Sequence, residues 1–227
     1  MDANDSFQAQ YEILSHHTVN TIFDIGANIG QTTRKYRDFF PAALIYAFEP
    51  CPYIFNDFIS SFDNDCRVIP CNSAISNISG NSYLFLNKNS GTNSIQEINR
   101  NIDIDLYVNP EFVENIGKVQ VPVTTLDNFV LDNNIEYIDI LKMDIQGNEL
   151  HALKGSLNLL RDSKISIIYI EIWFVQLYEK APLFFQIYEY LFQFGFELHD
   201  LYNKRYTSNG QIKWADAIFV NSKLRHY

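Results

Sequence analysis

The sequence predicts an α/β fold with a doubly wound, mostly parallel sheet. From residue 21 to residue 220, short apolar runs that suit buried strands alternate with helix-compatible segments. The first run, Thr21–Ile25, is followed by Gly26 and Gly30, which allow a sharp turn and close approach of the next helix. Such a turn is typical of a ligand site at the end of a strand, and equally of an ordinary strand-to-helix connection.

Composition limits the possible classes of protein. With 227 residues, 47% hydrophobic and 19% charged, we expect one folded domain at residues 21–227, preceded by a helical cap at residues 1–20. The net charge of 17 − 27 = −10 disfavours a nucleic-acid partner. No apolar stretch reaches the roughly 20 residues of a membrane span, and no signal peptide is visible, so a cytoplasmic protein is expected. Cys51, Cys66 and Cys71 match no common zinc spacing and are interpreted as reduced thiols.

Local patterns predict the elements in order. A helix over residues 32–40 ends before Pro41, because proline disfavours helix in the residue before it. Residues 87–118 are polar and irregular, which predicts an insertion or lid, and residues 202–210 are a predicted loop. The other predicted helices are 52–62, 125–131, 151–160 and 183–194, and the predicted strands are 21–25, 44–48, 67–70, 82–86, 119–123, 137–143, 165–172, 196–201 and 214–220.

Polar or acidic side chains recur at the ends of five predicted strands. They are Asp24, Glu49, Asn72, Asp144 and Glu171. An acid that ends the second strand of a βαβ unit commonly accepts both ribose hydroxyls, which suits Glu49. A dinucleotide fingerprint would need glycine where the chain has Asn28 and Gln31, and the acidic edge disfavours phosphates. The pattern therefore favours S-adenosylmethionine, which carries ammonium and sulfonium charge, over a nicotinamide dinucleotide.

Several short motifs follow one another along the chain. They are Asp24-Ile25-Gly26-Ala27-Asn28-Ile29-Gly30, Glu49-Pro50, Thr125-Leu126-Asp127, Leu141-Lys142-Met143-Asp144-Ile145-Gln146-Gly147-Asn148-Glu149, Leu153-Lys154-Gly155 and Ile170-Glu171. Together they resemble the FkbM family of S-adenosylmethionine-dependent methyltransferases, and the block at residues 141–149 is the specific part. The resemblance implies a seven-stranded sheet of the Rossmann-like class I type, whose antiparallel last strand, residues 214–220, is inserted beside the fifth. It also implies O-methylation of a sugar, polyketide or similar small molecule.

The resemblance further implies which residues bind the cofactor. They are Asp24, Gly26, Asn28, Gly30, Glu49, Asn72, Ser73, Ala74 and Asp144. Within this set the glycine-containing turn would surround the methionine portion, Glu49 would hold the ribose, and residues 72–74 would lie beside the adenine. Asp144 would face either the methionine ammonium or the acceptor.

Methyl transfer to an alcohol requires alignment of the acceptor oxygen and removal of its proton. Asp144 is the predicted base, because it ends a strand beside the cofactor, and Glu171 is the second catalytic candidate. Glu149 and His151 are reserves. An acid in the first turn of a helix also offsets the helix dipole, and a histidine on a helix is commonly a surface residue.

A divalent metal is considered but not favoured. Glu171 could form an ion pair with Lys142, or bind a divalent cation together with Asp144. The family usually has Glu where this chain has Gln146, which weakens a metal-binding or basic role at that position. No metal ligand is therefore predicted.

Two other functions remain open at this point, a nicotinamide-dependent oxidoreductase on a similar sheet and a catalytically silent scaffold. For a methyltransferase, acceptor specificity is expected in residues 87–118 and 174–182, where the pattern is least regular. Trp173, Phe174 and Tyr178 would either stack on an acceptor ring or belong to the core or a dimer face, which leaves a homodimer open.

Overall fold

The computed structural model of this chain describes residues 5–103 and 108–226, with side chains described to residue 224. Residues 1–4 of the predicted cap, residues 104–107 of the predicted lid and residue 227 lie outside the described residues. The strands are β1 Thr21–Ile25, β2 Leu44–Phe48, β3 Val68–Cys71, β4 Ala74–Ile75, β5 Gly80–Asn87, β6 Asn115–Thr124, β7 Ile138–Met143, β8 Ile165–Trp173, β9 Phe196–Tyr206 and β10 Ile212–Asn221. The helices are α1 Ser6–Ile13, α2 Gln31–Phe39, α3 Pro52–Phe62, α4 Leu126–Asp132, α5 Glu149–Lys154, α6 Leu157–Arg161 and α7 Phe184–Phe192.

The larger sheet has seven strands in the order β3-β2-β1-β7-β8-β10-β9. Neighbouring strands from β3 to β8 are parallel, whereas β10 runs antiparallel to both β8 and β9. The predicted doubly wound, mostly parallel sheet is confirmed. Strand β10 lies beside β8, which is the fifth strand in the spatial order of this sheet. The chain order reverses between β1 and β7, so the crevice expected to hold a ligand lies at their carboxyl ends.

Apolar layers cover both faces of the parallel strands. All six residues of β7 are buried, as are the four residues of β1 after Thr21. Phe23 and Leu141 belong to the core on one face, and Ile22 and Tyr36 to the core on the other. Strands covered on both sides must be apolar throughout, which is why their pattern is readable in the sequence.

A smaller sheet, which the sequence did not predict, has the order β4-β6-β5. Strands β5 and β6 pair antiparallel as far as Asn87 and Asn115. Strand β6 therefore begins earlier than the predicted residue 119, and residues 115–118 of the predicted lid are strand. Most side chains in this part of β6 are exposed. Residues 115–118 show no alternation of apolar and polar side chains, so this part of the strand is not predicted by the sequence pattern.

Most other strands and helices end within one or two residues of their predicted bounds, but one helix and one loop differ more. The helix predicted over residues 151–160 is two helices, α5 and α6, because the chain turns at Gly155. A Cβ atom at Gly155 would lie 2.1 Å from the carbonyl oxygen of Ser76, so this turn packs closely on its neighbour. The loop predicted over residues 202–210 is shorter, because β9 continues to Tyr206 beside β10.

Within the described residues, no helix combines the length and apolarity needed to cross a membrane.

The two segments predicted to determine acceptor specificity contact each other. The N–H of Asn99 donates to the carbonyl oxygen of Leu177 over 2.8 Å, and the N–H of Glu179 donates to that of Glu97 over 2.8 Å. Two 3-10 helices, Ser90–Thr92 and Pro110–Val113, also lie in the predicted lid. The described part of residues 87–118 is thus fastened to residues 174–182 by backbone hydrogen bonds.

Trp173 and Tyr178 belong to the protein interior. Their exposed fractions are 3% and 0%, and their rings meet edge to face with centroids 5.9 Å apart. Trp214 packs on Trp173 at 5.3 Å, and Phe174 packs on Phe184 at 5.4 Å. These contacts agree with the core interpretation of the aromatic residues and leave little ring surface for an acceptor.

Candidate active site

The turn after β1 crosses close to the end of β7. The N–H groups of Gly26 and Ala27 both donate to the carbonyl oxygen of Phe48, over 3.0 and 2.9 Å, and the N–H of Asp144 donates to that of Ile25 over 3.0 Å. Gly26 has a φ of 81°. A Cβ atom there would lie 1.9 Å from the carbonyl oxygen of Asp144. Only glycine allows this approach, which brings the ends of three strands together.

Replacing Gly26 by Ala is expected to destabilise the fold. The methyl group would overlap the carbonyl of Asp144, and overpacking typically costs about 1–3 kcal/mol. Gly210→Ala is a matched control, because Gly210 has a similar φ of 86° but a Cβ atom there would meet nothing within 4 Å beyond its chain neighbours. We expect urea unfolding to show a loss about 1–3 kcal/mol greater for Gly26→Ala than for the control. Equal losses would mean that left-handed strain alone explains the glycine.

Glu49 is fixed at the end of β2 by backbone donors. Its Oε1 accepts the N–H of Cys51 over 2.8 Å, and its Oε2 accepts the N–H of Asn28 over 3.1 Å. The side chain of Asn72 donates to the carbonyl oxygens of Glu49 and Pro50, over 2.8 and 3.2 Å. Burial raises the pKa of Glu49 to about 7, in spite of the two N–H donors. Each carboxylate oxygen keeps a lone pair for a ligand hydroxyl.

Asp24 lies beneath the turn and forms a buried ion pair. Its Oδ1 is 2.9 Å from the ammonium of Lys142, and its Oδ2 accepts the hydroxyl of Thr33 over 2.6 Å. The same ammonium donates to the carbonyl oxygen of Gly26 over 2.9 Å. Burial acts to lower the pKa of Lys142, but the charge of Asp24 outweighs it and the pKa is raised. Within the described residues Lys142 therefore pairs with Asp24, and not with Glu171 as one interpretation of the sequence had it.

Gln146 joins the two catalytic candidates. Its Nε2 donates to Asp144 Oδ1 over 2.7 Å and to Glu171 Oε2 over 2.9 Å. Its Oε1 accepts the hydroxyl of Tyr178 over 2.7 Å, and its backbone oxygen accepts the hydroxyl of Ser94 over 2.7 Å. Gln146 has a φ of 55°, a left-handed conformation that is uncommon for non-glycine residues. The NH₂ of an amide can donate to two carboxyl groups at once, whereas a glutamate at this position would offer one O–H donor when protonated and none when ionised.

Burial raises the pKa of Glu171 well above its ordinary range, and the negative charge of Asp144 raises it further. Glu171 therefore holds a proton under conditions in which an exposed glutamate is ionised. No group of three or more His, Cys, Asp or Glu side chains within the described residues is arranged to hold a metal ion. The carboxyl groups of Asp144 and Glu171 are instead linked through hydrogen bonds from the Gln146 amide.

Of the two reserve candidates, Glu149 has structural contacts. Glu149 begins α5, and its Oε1 accepts the N–H groups of Ile145 and Gly147 over 3.0 and 3.2 Å. Burial raises the pKa of Glu149 to about 7. Burial also lowers the pKa of His151, which is only partly buried on the same helix. The contacts of Glu149 favour its interpretation as a support for the turn after β7.

A cavity of about 180 Å³ lies at the carboxyl ends of β1, β2 and β7. Its walls include these members of the predicted cofactor-binding set: Gly26, Asn28, Glu49, Ser73, Ala74 and Asp144. Asp24, Gly30 and Asn72 lie outside the walls, since Asp24 is below the turn, Gly30 precedes α2 and Asn72 supports the chain after Glu49. Glu171 is not part of these walls either.

Sequence reasoning missed another part of the cavity wall. The residues concerned are Ile75, Leu84, Ser90, Gly91, Asn93, Ser94, Ile95, Gln146 and Asn148. Those at positions 90–95 come from the predicted lid, whose polar composition gave no sign of which side chains face a ligand. Gln146 stands out in the sequence only as a departure from the family pattern, because its contacts depend on the folded chain.

The chemistry of the cavity fits S-adenosylmethionine. Ile75, Leu84 and Ile95 supply an apolar wall for an adenine, and Glu49 supplies acceptor oxygens for ribose hydroxyls. Asp144 supplies an acceptor for an ammonium or a hydroxyl. Among the residues that the structure describes, Lys142 is the cationic side chain that lines this cavity, and its charge is already balanced by Asp24. A pyrophosphate would therefore lack a free positive partner, which disfavours a dinucleotide.

Comparison with known sequences gives one family and two curated relatives. The Methyltransferase FkbM domain family matches residues 24–198, more than half of the chain. "Methyltransferase 1" of Beauveria bassiana is 25% identical over 160 residues, which are 64% of this chain and 61% of that protein. "2-O-methyltransferase NoeI" of Sinorhizobium fredii is 27% identical over 168 residues, 71% of this chain and 67% of that protein. The chain thus spans less than two thirds of the length of the Beauveria relative.

Solved structures share the fold at low sequence identity. The fibrillarin pre-rRNA processing protein of Methanococcus jannaschii is 13% identical with a TM-score of 0.51, covering 90% of this chain and 67% of that one. An rRNA methylase from Streptococcus thermophilus is 10% identical with a TM-score of 0.50, covering 97% of this chain and 99% of that one. These likenesses concern the Rossmann-like class I methyltransferase fold alone.

Proposed function

Because this chain belongs to the FkbM methyltransferase family, whose methyl donor is S-adenosylmethionine, we propose that it methylates a hydroxyl oxygen of a small molecule or glycan. The observation that carries the proposal is Asp144, a carboxylate in the wall of the cofactor cavity with one oxygen held by Gln146. Its other oxygen accepts no hydrogen bond from the described residues. The similarity to a 2-O-methyltransferase supports a hydroxyl acceptor, and the net charge of −10 disfavours a nucleic acid.

The cavity walls suggest where each part of the cofactor is held. Glu49 accepts the ribose hydroxyls, Ser73 and Ala74 flank the adenine, and the turn at Gly26 and Asn28 surrounds the methionine portion. In this proposal Asp24, Gly30 and Asn72 act indirectly. They hold Lys142, the start of α2 and the chain after Glu49 in place.

Asp144 is proposed as the general base. When bound, S-adenosylmethionine supplies a methyl group on a sulfonium sulfur, which keeps the bonding electron pair as the new carbon–oxygen bond forms. The acceptor hydroxyl donates to the free oxygen of Asp144, and its proton moves to that oxygen as the hydroxyl oxygen becomes an ether. Gln146 orients Asp144 by occupying its other oxygen. The carboxylate thus aligns the nucleophile as well as accepting its proton.

We also propose that residues 21–227 form one catalytic domain in which residues 87–118 include a lid. Support comes from Ser90, Ser94 and Ile95, which line the cofactor cavity, and from the hydroxyl of Ser94, which donates to the backbone of Gln146. Covering the cofactor would exclude water from the reacting atoms.

A coupled binding and turnover experiment tests the proposed function. Calorimetry would compare S-adenosylhomocysteine with NAD⁺, and the protein would then be incubated with S-adenosylmethionine and a panel of methyl glycosides, phenols and aliphatic alcohols. We expect S-adenosylhomocysteine to bind, and mass spectrometry to find one added methyl group on an acceptor oxygen. Binding without any transfer would instead favour a catalytically silent scaffold.

Cofactor affinity is expected to depend on the ionisation of Glu49. The ionised carboxylate accepts hydrogen bonds from hydroxyls, whereas its protonated form offers a competing O–H donor. Since burial raises the pKa of Glu49 to about 7, affinity for S-adenosylhomocysteine should be full near pH 8 and fall as the pH drops through 7. Isothermal titration calorimetry between pH 6 and pH 8 would measure this, with up to about tenfold weakening per pH unit below the pKa.

Glu49→Gln serves as the control for this pH dependence. The variant should bind about tenfold more weakly at pH 8, because one charge-assisted hydrogen bond contributes roughly 1.5 kcal/mol. Its affinity should be nearly constant across the same pH range. A pH dependence that persists in the variant would assign the titration to another group.

A further inference from the structure

A second cavity of about 180 Å³ adjoins the cofactor cavity. Both cavities are lined by Thr32, Lys142 and Asp144, so the predicted base borders each of them. The remaining walls come from α1, α2, β7, β8, β9 and β10. In-line methyl transfer requires the acceptor beside both the cofactor and the base. The second cavity meets that requirement.

Three carboxyl groups line this second cavity, and each has one oxygen without a donor among the described residues. Gln146 occupies one oxygen of Asp144 and one of Glu171. The hydroxyl of Tyr169 and the amide of Asn203 both donate to Asp216 Oδ2, each over 2.7 Å. A ligand with several hydroxyl groups would satisfy the three free oxygens.

Glu171 and Asp216 face each other directly across β8 and β10. Two ionised carboxylates in directly opposed positions would destabilise the sheet, and the proton held by Glu171 avoids that repulsion. A chain of hydrogen bonds keeps Asp216 in place. The hydroxyl of Tyr169 donates to Asp216 and itself accepts the hydroxyl of Ser6 in α1 over 3.0 Å. The protonated carboxyl of Glu171 can donate to a ligand oxygen and Asp216 can accept from a ligand hydroxyl, so the pair suits a ligand that carries several hydroxyl groups.

The other groups around the cavity disfavour a cation. Lys35 and Lys142 both line it, and the ammonium of Lys35 lies 4.8 Å from the ring centre of Phe7, which lines it as well. Because the charge of Lys142 is balanced by Asp24, the Lys35 ammonium is the group that would repel a cationic ligand, and an anion would be repelled by the carboxyl groups. A neutral polyhydroxy compound avoids both repulsions.

We propose that the methyl acceptor is a polyol of sugar type, bound in this second cavity, with Asp144 receiving the hydroxyl to be methylated and Asp216 a neighbouring hydroxyl. This inference rests on the proposed methyltransferase function and names the class of its acceptor. Asp216 is thereby a specificity-determining residue, since an acceptor with a single hydroxyl could not use it.

The test combines two variants with a binding and a kinetic measurement. Asp216→Asn replaces the carboxylate, and with it the oxygen that has no donor, by an amide. Lys35→Trp fills the cavity from an exposed position on α2. Saturation-transfer NMR would measure binding of methyl glycosides to the protein saturated with S-adenosylhomocysteine. Wild-type protein should bind a glycoside but not cyclohexanol, which has one hydroxyl, and both variants should weaken glycoside binding and raise its KM about tenfold.

The controls separate this inference from the proposed function. Both variants should bind S-adenosylhomocysteine with unchanged affinity, and Asp38→Trp, which is on α2 but outside the cavity, should keep the wild-type KM. A tenfold rise in KM with kcat changed less than threefold would support a role in acceptor binding. If methyl transfer occurs but neither variant changes the KM, or if no glycoside binds wild-type protein, the inference is overturned. The methyltransferase assignment would stand in either case.

Discussion

Replacing Asp144 by Asn is expected to lower kcat for methyl transfer by about 10²- to 10⁴-fold, the usual contribution of a positioned general base. The substitution keeps an oxygen that can accept the hydrogen bond from Gln146 Nε2, at present 2.7 Å long. It removes the group that takes the proton from the acceptor hydroxyl. The fold and the cofactor cavity should therefore persist while the chemical step slows.

Single-turnover kinetics and calorimetry with S-adenosylhomocysteine would measure the two effects separately. Asp139→Asn is a matched control on β7, the strand that Asp144 directly follows, because Asp139 accepts the N–H groups of Asn20 and Thr21 at the opposite end of β7. Its loss should affect stability but not kcat. Near-wild-type turnover in Asp144→Asn would refute the assignment as base. A parallel loss of cofactor affinity would instead place Asp144 against the methionine ammonium.

The parallel strands of the core can be predicted from the sequence, because residues adjacent in the chain mark where each strand begins and ends. Strands β1 and β2 and helix α3 have the predicted bounds, since apolar runs and turn residues mark their ends. The pairing of strands in the smaller sheet cannot be predicted in this way. Strand β4 has only two residues, and β6 is largely exposed where it leaves the lid. Their pairing depends on contacts distant in sequence rather than on local pattern.

The candidate site is predictable in outline but not in detail. The positions of Glu49 and Asp144 follow from their place after strands that end at one edge of the sheet. The partners of Gln146 do not, because Glu171 and Tyr178 reach it from segments 25 and 32 residues further along the chain. A sequence pattern gives the edge on which a side chain lies, but not which side chains share a hydrogen bond there.

Lys142 illustrates the same limit. A lysine within an apolar strand requires a partner, and the sequence offers Glu171 as one possibility. The parallel register of β1 and β7 instead places Lys142 opposite Asp24. The family resemblance implies that Asp24 lies near the cofactor. Its contact with Lys142 makes it a support for the turn at Gly26, whose carbonyl oxygen the same ammonium reaches.

Replacing Asp24 by Asn is expected to lower the free energy of unfolding by about 3–5 kcal/mol near pH 7, because it leaves the Lys142 ammonium buried without its counter-ion. The exposed fractions of the two side chains are 0% for Asp24 and 6% for Lys142. Without Asp24, burial would lower the pKa of Lys142 below its value in the unfolded chain. The folded variant would then bind fewer protons than the unfolded one, so its stability should rise with pH and part of the loss should be recovered near pH 9–10.

Urea unfolding of a double-mutant cycle separates the ion pair from the packing around it. Asp24→Asn combined with Lys142→Met removes both charges and should be more stable than Asp24→Asn alone, because no unpaired charge remains. Asp65→Asn is the control for an ion pair that is only partly buried. It breaks the contact with Arg37, whose side chain is 20% exposed against 29% for Asp65, and should cost less than about 1 kcal/mol. A loss of that small size at Asp24, or one that does not change with pH, would show that Lys142 is stabilised mainly by the carbonyl oxygens of the β1–α2 turn.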